Sequence, residues 1–383
     1  MNEKADFLII GGGIAGASVG YWLAPHGRVV LLERESQPGY HATGRSAALL
    51  MESYGTPQVC ALSQSSLAFF QNPPAGFSDQ PLTSARGALL VATQGQENLL
   101  AEHWNTLHSQ SSHVKLLDCA ATCALVPVLK PDQVVGGIYD PDAMDIDVDA
   151  LLQGYLRGLR RAGGAVVCNA EVTHITPTGP MWEVQVGTTR YEAPLVINAA
   201  GAWADTVAER AGVRPIGLEP RRRSAFIFAP PEGLATAHWP MAFGIADDWY
   251  FKPDAGLLLG SPSNADPVLP QDIQPEELDI AMGIHHIEEI TTLTIRRPTR
   301  TWAGLRSFVA DGGHVGGFDT QAPGFFWVAA QGGSGVMSSP AMGEACASLL
   351  RGLPLPTHIA ANGLTPQSLG PSRLLGGPSP QTS

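Results

Sequence analysis

The chain has 383 residues, enough for two or three domains or one large two-lobed fold at roughly 150 residues per domain. Its 23 Lys and Arg against 35 Asp and Glu give a formal net charge of −12, so it lacks the basic excess of a nucleic-acid-binding protein. A hydrophobic fraction of 44% excludes general disorder, and 43 Gly with 31 Pro indicate many turns or many close approaches of backbone to a neighbour.

The first 33 residues predict a strand, a glycine turn, a helix and a second strand. Residues 6–10 are an apolar run short enough for a buried parallel strand, residues 15–24 suit a helix, and residues 28–33 suit the next strand. Gly11 makes the tight turn, Gly13 lets the backbone approach a pyrophosphate, and Gly16 lets the helix pack on the sheet. Glu33 follows where a carboxylate accepts ribose hydroxyls and repels a 2′-phosphate. This unit predicts a dinucleotide site.

The apolar stretch 7–23 does not predict a signal peptide or a membrane span, because charged residues precede it and five glycines interrupt it. We therefore expect no integral membrane segment and a cytoplasmic protein, with peripheral attachment to the inner membrane left open. Five scattered cysteines do not form a disulfide framework. Cys119 and Cys123 could share a helix face, but no second Cys/His pair lies near them, so we expect no metal site.

Residues 39–48 are small and polar and directly follow the second strand. Together with residues 141–172, 196–203, 221–228, 301–306 and 325–335, they resemble the D-amino-acid oxidase and glycine oxidase family of FAD enzymes. Within that family the resemblance is closest to the bacterial FAD-dependent D-arginine and D-amino-acid dehydrogenases, and it extends to about residue 350.

The resemblance implies an α/β fold with two domains: a Rossmann-like FAD-binding domain and a mostly antiparallel β-sheet substrate domain. We assign residues 1–49, 146–214 and 301–363 to the FAD-binding domain and residues 50–145 and 215–300 to the substrate domain. Strands over 195–197 and 325–329 each end in small residues, and a helix follows the second through residue 350. Residues 364–383 are rich in Pro, Gly and Ser and predict a flexible tail.

FAD is expected to bind non-covalently, because the closer resemblance is to non-covalent members, although His41 is a conceivable attachment point. The N-terminus of the helix after residue 334 would face the flavin pyrimidine ring, where negative charge accumulates on reduction. The expected cofactor-binding residues are Gly11, Gly13, Ile14, Ala15, Gly16, Glu33, Arg34, Ala42, Thr43, Gly44, Arg45, Ser46, Ala47, Ala48, Leu49, Val172, Ala200, Gly201, Trp203, Gly332, Gly333, Ser334, Gly335, Val336 and Met337.

A flavin that accepts hydride from an amino acid requires a fixed substrate carboxylate, and arginine is the natural clamp because its planar fork binds both oxygens. Residue chemistry alone does not separate Arg223 and Arg306 from the other arginines of this region. The resemblance singles out these two, with Tyr54 and Tyr250 as hydroxyl donors and the carbonyl of Gly333 facing the substrate nitrogen. Gly55 and Pro57 suit a lid around Tyr54.

Positions at which this chain differs from the enzymes it resembles predict its substrate. Where D-arginine dehydrogenase presents an acid to the guanidinium, this chain has Ala88. A hydrophobic wall cannot satisfy a buried cation, so we expect apolar or neutral D-amino acids. Glu52 leaves basic substrates open if it turns inward. The expected pocket residues are Leu49, Met51, Glu52, Ala88, Met241, Phe243 and Met337.

The predicted activity is therefore oxidative deamination of D-amino acids to 2-oxo acids and ammonia by hydride transfer from Cα to flavin N5. Electrons would pass to an acceptor other than oxygen, such as a quinone or a carrier protein. The alternatives are oxidation of a secondary amine such as an opine or N-alkyl amino acid, an oxidase that uses oxygen, and a non-catalytic flavoprotein.

Overall fold

The computed structural model describes residues 2–374, which form ten α-helices and 22 strands. The strands are β1 Asn2–Lys4, β2 Phe7–Ile10, β3 Val29–Leu32, β4 Leu49–Leu50, β5 Thr83–Ala85, β6 Ala88–Thr93, β7 Lys115–Asp118, β8 Val134–Asp140, β9 Met144–Ile146, β10 Ala165–Val167, β11 Val172–Thr178, β12 Met181–Val186, β13 Thr189–Ala193, β14 Leu195–Asn198, β15 Glu219–Phe228, β16 Met241–Gly244, β17 Tyr250–Asp254, β18 Leu257–Ser261, β19 Asp266–Pro267, β20 Arg300–Phe308, β21 Val315–Phe318 and β22 Phe325–Ala329. The helices are α1 Ile14–Leu23, α2 Pro57–Gln71, α3 Glu97–Gln110, α4 Cys119–Leu125, α5 Val148–Arg161, α6 Ala204–Arg210, α7 Glu277–Ile290, α8 Gly335–Leu350, α9 Thr357–Ala361 and α10 Pro366–Leu369.

One lobe is built on a six-stranded sheet in the order β10-β3-β2-β14-β22-β21, parallel except for β21. Its central strands β2, β3 and β22 are buried at every residue because both faces of the sheet are covered. The carboxyl ends of β2, β3, β14 and β22 lie at one edge, and each passes directly into a predicted cofactor loop. Ligands of such doubly wound sheets bind at this edge.

The second lobe is a nine-stranded sheet in which every neighbouring pair is antiparallel except β16 with β6. The expected two-domain α/β flavoprotein fold is therefore confirmed. One face packs against α7 through an apolar cluster that includes Phe226, Phe251 and Ile287. The other face carries the side chains that contact the cofactor lobe.

Two assignments of residues to lobes are wrong. Strand β20 was placed in the FAD-binding domain, yet it pairs with β15 from Glu219–Phe308 to Ile227–Arg300 and so belongs to the nine-stranded sheet. Helix α2 was placed in the substrate domain, but Ala61 and Leu62 are buried in the apolar cluster of the six-stranded sheet. Long-range pairing decided both cases, and local pattern does not reveal it.

The predicted flexible tail is wrong for residues 364–374. Leu364 and Leu369 are buried in the cofactor lobe, and Arg373 pairs with Asp311 at 2.7 Å. Apolar burial thus orders a segment whose composition is dominated by turn residues. Residues 375–383 of the predicted tail lie outside the described residues.

None of the helices within residues 2–374 has the length and apolar character needed to cross a membrane. Over the same residues, no cluster of three or more His, Cys, Asp or Glu side chains is arranged to hold a metal ion. Cys119 and Cys123 do share one face of α4, and burial together with Cys119 raises the pKa of the Cys123 thiol to about 11.

Candidate active site

The glycine turn between β2 and α1 is packed too tightly for side chains. Gly11 has a φ of +110°, and a Cβ on it would lie 2.3 Å from the carbonyl oxygen of Ala199 at the end of β14. A Cβ on Gly16 would lie 2.0 Å from the carbonyl oxygen of Gly11. The two glycines therefore let the turn lie against β14 and leave the N-terminus of α1 open toward the adjacent cavity.

A cavity runs along the carboxyl edge of the six-stranded sheet and reaches the nine-stranded sheet. Four loops from the ends of β2, β3, β14 and β22 contribute to its wall. The expected cofactor residues that line it are Gly11, Gly13, Ile14, Ala15, Glu33, Arg34, Ala42, Thr43, Arg45, Ser46, Ala47, Val172, Ala200, Gly201, Trp203, Gly332, Gly333, Gly335 and Val336. Residues far apart in sequence thus converge on one elongated site.

Six expected cofactor residues do not line this cavity. Gly44 and Ala48 line a neighbouring cavity on the other side of the 44–48 loop. Gly16 packs against the Gly11 carbonyl of the glycine turn. The remaining three, Leu49, Ser334 and Met337, also do not line it: Met337 is buried in an apolar cluster with Ile14, and Ser334 is buried.

Glu33 lies at the end of β3 and is buried. Its carboxylate accepts hydrogen bonds from the N–H groups of Gly12 at 2.7 Å and Glu35 at 2.8 Å, which fixes the side chain against the glycine turn. Arg34 stacks over the indole of Trp203 at 4.3 Å. His41 lies beside the same indole, and its Nε2 is 2.8 Å from Glu35 Oε1.

The pairing of β15 with β20 shows which face of the sheet each of the three consecutive arginines occupies. Arg223 lies opposite Gly304, and Arg221 lies opposite Arg306, so all four positions share one face of the sheet. Arg222 points to the other face, where Asp266, Glu276 and Asp279 surround its guanidinium. Arg221 pairs with Glu219 at 2.6 Å and stacks on Phe308. Arg223 and Arg306 both line the cavity.

Arg223 and Arg306 have few anionic partners. The nearest carboxylate oxygen of Asp247 is 4.0 Å from Arg223, and Arg306 makes no ion pair with a residue in the described part of the chain. Arg223 Nε donates to the carbonyl of Asn264 at 2.6 Å, which orients its guanidinium. Burial and the charge of Arg306 lower the pKa of Arg223, a combination that a bound carboxylate would relieve.

Tyr250 and Gly333 also line the cavity, whereas Tyr54 does not. Tyr250 is buried on β17, whereas Tyr54 is 43% exposed. Both phenols are close enough to Arg223 for their charge to influence its pKa. A Cβ on Gly333 would lie 3.0 Å from Arg306 Nη1, so this glycine lets the guanidinium rest against the loop before α8.

Four of the expected pocket residues pack together around the completely buried Ala88, in an apolar cluster with Met51, Leu49 and Phe243 that we call the apolar wall. None of these four residues lines the cavity that contains Arg223 and Arg306. Met241 lies opposite Ala88 in the parallel pair of β16 with β6. Met337, which we expected near this wall, is buried in a different apolar cluster beside α1.

An acidic residue that the sequence did not single out lies next to this wall. Asp140 is directly opposite Ala88 in the β6–β8 pair and is buried, and burial raises the pKa of its carboxyl. Glu52 is exposed, and partial loss of hydration together with Asp140 and Asp142 raises the pKa of the Glu52 carboxyl. Glu52 therefore faces these acids, and it does not line the cavity beside Arg223.

His314 and Gln331 are two further residues near the cavity that the sequence did not single out. Gln331 lines the cavity, and its buried Nε2 has no hydrogen-bond partner within residues 2–374, which leaves a donor available to a ligand. His314 is buried behind the loop that precedes α8. Single polar residues in a glycine-rich stretch carry no sequence pattern that would have identified them.

Comparison with known proteins identifies the family. The family model described as DAO, FAD dependent oxidoreductase, matches residues 6–349, and the chain belongs to this family. A mouse (Mus musculus) protein named FAD-dependent oxidoreductase domain-containing protein 1 is 25% identical over 405 residues, covering 91% of this chain and 81% of that protein.

Solved structures share the fold at lower identity. Glycine oxidase from Geobacillus kaustophilus has a TM-score of 0.80 and 21% identity, covering 92% of this chain and 95% of its own. L-proline dehydrogenase from P. horikoshii has a TM-score of 0.82 and 19% identity, covering 98% and 99%.

The chain is thus an FAD-dependent oxidoreductase, and the site fits FAD. The glycine turn leaves no space for a Cβ, the N-terminus of α1 opens on the cavity, and the Glu33 carboxylate lies at the end of β3 where a ribose would bind. The Gln331 amide lines the same cavity, and its Nε2, which has no hydrogen-bond partner within residues 2–374, could donate to the cofactor. FAD supplies the redox chemistry, and the protein orients the substrate.

Proposed function

We propose that the chain is an FAD-dependent D-amino-acid dehydrogenase that deaminates substrates with apolar or neutral side chains. The observation that carries this proposal is the convergence of Arg223 and Arg306 on one face of the nine-stranded sheet, inside the cofactor cavity. Within the described residues, Arg223 has one carboxylate, at 4.0 Å, and Arg306 has none at ion-pair distance, so their guanidinium groups could bind a small anion. A substrate carboxylate held there would be fixed beside the cofactor.

The resemblance assigns the remaining roles. Tyr250 and Tyr54 would add hydroxyl donors to the carboxylate, and Tyr54, being partly exposed, would move with the loop that carries it. The carbonyl of Gly333 would receive the substrate amine, which must be neutral for its lone pair to assist removal of hydride from Cα. The imino acid that results then hydrolyses in water to a 2-oxo acid and ammonia.

The wall around Ala88 supports an apolar or neutral side chain. Ala88, Leu49, Met51 and Phe243 offer no partner to a charged group, and burying an unpaired cation costs several kcal/mol. Asp140 is the counterargument because it lies beside Ala88 on the same face of the sheet. Burial raises the pKa of the Asp140 carboxyl, so its charged form is less favourable there than in water.

The decisive experiment follows the visible absorbance of the purified holoprotein under anaerobic conditions while D- and L-amino acids are added. We expect D-Leu, D-Met and D-Phe to bleach the flavin and their L-enantiomers not to. Faster bleaching by D-Arg or D-Lys would show that Asp140 or Glu52 receives a cation and would overturn the neutral-substrate assignment. No bleaching by any D-amino acid would overturn the proposed function.

Reoxidation of the bleached protein distinguishes dehydrogenase from oxidase. We expect slow recovery of absorbance in air and rapid recovery with a soluble quinone. Rapid release of peroxide would instead identify an oxidase. Bleaching by N-methyl amino acids or proline, with primary amines inactive, would identify the secondary-amine alternative, which uses the same carboxylate clamp.

A further inference from the structure

A second cavity lies beside the cofactor cavity, and residues 45–47 line both of them. Its other walls include the cofactor-facing side of the nine-stranded sheet, with Ile227 of β15, Lys252 of β17 and Trp302 of β20. The indole Nε1 of Trp302 donates to the Arg45 carbonyl at 3.1 Å, so the indole contacts the segment between the two cavities. Three residues of one loop therefore form a wall that the two cavities share.

The second cavity continues along the strand that carries half of the proposed carboxylate clamp. Trp302 and Arg306 are four residues apart on β20 and point to the same face, so their Cα atoms are about 13 Å apart along the strand. Gly304 lies between them and faces the shared wall, because a Cβ on Gly304 would lie 3.4 Å from Arg45 Cβ. A ligand in the second cavity can thus lie close to the cofactor while a carboxylate occupies the clamp.

The least exposed cations of the second cavity have carboxylate partners, unlike the arginines of the clamp. The Lys252 ammonium is 2.7 Å from Asp145, and the Arg45 guanidinium is paired with Asp272. An anion entering this cavity would have to compete with these carboxylates. The second cavity therefore suits a ligand without net charge, whereas the clamp suits a carboxylate.

The second cavity also offers hydrogen-bond donors and aromatic surface. The Lys252 side chain is only 8% exposed, and within residues 2–374 its ammonium donates to Asp145 alone, so two of its three N–H groups are left for a ligand. Trp302 and Tyr40 line the same cavity, and their rings can stack on a flat ligand. A neutral, planar ring that carries carbonyl oxygens matches this combination.

We propose that the second cavity binds a quinone, which accepts the electrons of the reduced cofactor. This inference rests on the proposed dehydrogenase function and adds the site of its acceptor. The reduced cofactor loses two electrons and two protons, and the quinone gains two electrons and two protons to become a hydroquinone. Lys252 stabilises the negative charge that develops on a quinone oxygen as electrons arrive. The exposed Arg300 and Asp254 leave the cavity open to water, which carries the protons.

The first test measures binding without turnover. The oxidised holoprotein is dialysed to equilibrium against menadione, with and without benzoate as a ligand of the carboxylate clamp. We expect saturable binding of menadione, with a dissociation constant that benzoate changes less than about twofold, because the two sites are separate. Mutual exclusion of menadione and benzoate would place the quinone in the substrate site. Absence of saturable menadione binding would favour a carrier protein as acceptor, and either result would overturn the proposal.

The second test removes the donor. Lys252→Met should raise the menadione dissociation constant about tenfold, because a hydrogen bond from a charged group is lost. Asp145 keeps Arg86 as a partner at 2.6 Å, which protects the fold. The matched control is Lys115→Met, which removes an exposed lysine from the edge strand β7 of the same sheet and should leave the constant within about twofold of wild type. Equal constants in the two variants would overturn the proposal.

Photolabelling gives the same decision on the wild-type protein if Lys252→Met fails to retain FAD. An azido-naphthoquinone is irradiated with the oxidised holoprotein, and the modified peptides are identified by mass spectrometry. Label within residues 37–48 or 300–303 that excess menadione prevents would support the site. Label confined to other segments would contradict it.

Reoxidation separates failure of this inference from failure of the proposed function. Dithionite reduces the cofactor without substrate, and anaerobic mixing with menadione then reports reoxidation alone. The menadione concentration that gives half the maximal rate should rise about tenfold in Lys252→Met. If D-amino acids do not bleach the wild type but this shift is seen, the substrate assignment fails and the acceptor site stands. Normal bleaching of the wild type, with no shift in Lys252→Met, would overturn the acceptor site alone.

Discussion

Arg223 and Arg306 differ from Arg222 in having few carboxylates around them. Arg222, one residue away from Arg223, is surrounded by three carboxylates and serves the fold. Arg223 has one carboxylate, at 4.0 Å and largely exposed, and its pKa is lowered by burial and by Arg306. Two like charges side by side repel each other, and an incoming carboxylate converts that repulsion into attraction. Chemically identical residues thus differ in role because the pleat of β15 turns them to opposite faces.

Replacing Arg306 with Met should raise the dissociation constant of a simple carboxylate such as benzoate about 100-fold, since a lost buried charge partner costs roughly 3 kcal/mol. The kcat/KM for the amino acid identified by flavin bleaching should fall at least as much. Titration of flavin absorbance measures the first quantity and steady-state kinetics the second.

The matched control is Arg221→Met, because Arg221 lies directly opposite Arg306 but pairs with Glu219 and stacks on Phe308. Its benzoate affinity should stay within twofold of wild type. A loss as large as that of Arg306→Met would mean that general positive charge, and not the clamp, binds the carboxylate.

The neutral, buried His314 should make stability depend on pH. Its pKa is about 4 in the folded protein against about 6.5 in an unfolded chain, so between these values the unfolded state binds more protons. The stabilisation is therefore fully present above pH 6.5 and decreases as the pH falls toward 4, by up to roughly 3 kcal/mol.

Thermal unfolding midpoints of wild type and His314→Leu, measured from pH 7.5 to 4.5, isolate this contribution. The wild-type midpoint should fall more steeply with decreasing pH than that of the variant. Buried carboxyls with raised pKa, such as Asp140, change stability in the opposite direction and are common to both proteins, so they cancel in the difference. Parallel pH profiles would contradict a neutral His314.

The boundaries of strands and helices with a clear local sequence pattern were predicted accurately. The pairing of strands with distant partners was not. The strand at 325–329 and the helix ending at residue 350 agree with β22 and α8 at every predicted boundary, since an apolar run followed by glycines marks both. Strand β20 was assigned to the wrong lobe because an alternating strand does not reveal which strand it pairs with. The choice among the three arginines of β15 required the same pairing information, supplied in advance only by the family resemblance.

The glycine turn yields a prediction about cofactor binding. Gly11→Ala should abolish FAD retention, because the new Cβ would lie 2.3 Å from the Ala199 carbonyl and separate β14 from the turn. The ratio of visible to ultraviolet absorbance in the purified protein measures retention.

Gly163→Ala is the control, since Gly163 also has a positive φ, +89°, but has no atom within 4 Å of a Cβ. It carries the backbone strain without the clash and should keep FAD fully. Equal loss in both variants would show that strain, and not steric exclusion at the turn, explains the effect.

Across the whole molecule, the C-terminal segment helps to hold the cofactor lobe together. Gln58 of α2 donates to the carbonyls of Ser368 and His314 and accepts from the His314 N–H at 2.6 Å. One side chain thus joins α2, α10 and the residue that precedes β21. A composition rich in Pro, Gly and Ser concealed this role, because it does not show that Leu364 and Leu369 are buried or that Arg373 pairs with Asp311.

Leu369→Ala should lower the thermal unfolding midpoint by several degrees, since truncating a fully buried leucine costs roughly 2–5 kcal/mol. Differential scanning calorimetry of the holoprotein measures the midpoint. The exposed neighbour Gln367→Ala should change it by less than one degree or so. Equal midpoints for the two variants would contradict docking of the segment.

The cofactor loops, the proposed carboxylate clamp and the apolar wall around Ala88 lie on separate strands. The cofactor loops follow β2, β3, β14 and β22, Arg223 and Arg306 lie on β15 and β20, and Ala88 pairs across β6 with Asp140 of β8 and Met241 of β16. If the proposed function holds, mutations around Ala88 should alter which side chain is accepted while the cofactor loops and the clamp stay intact. Substrate preference could then drift in evolution, or be redesigned in the laboratory, without rebuilding the cofactor site.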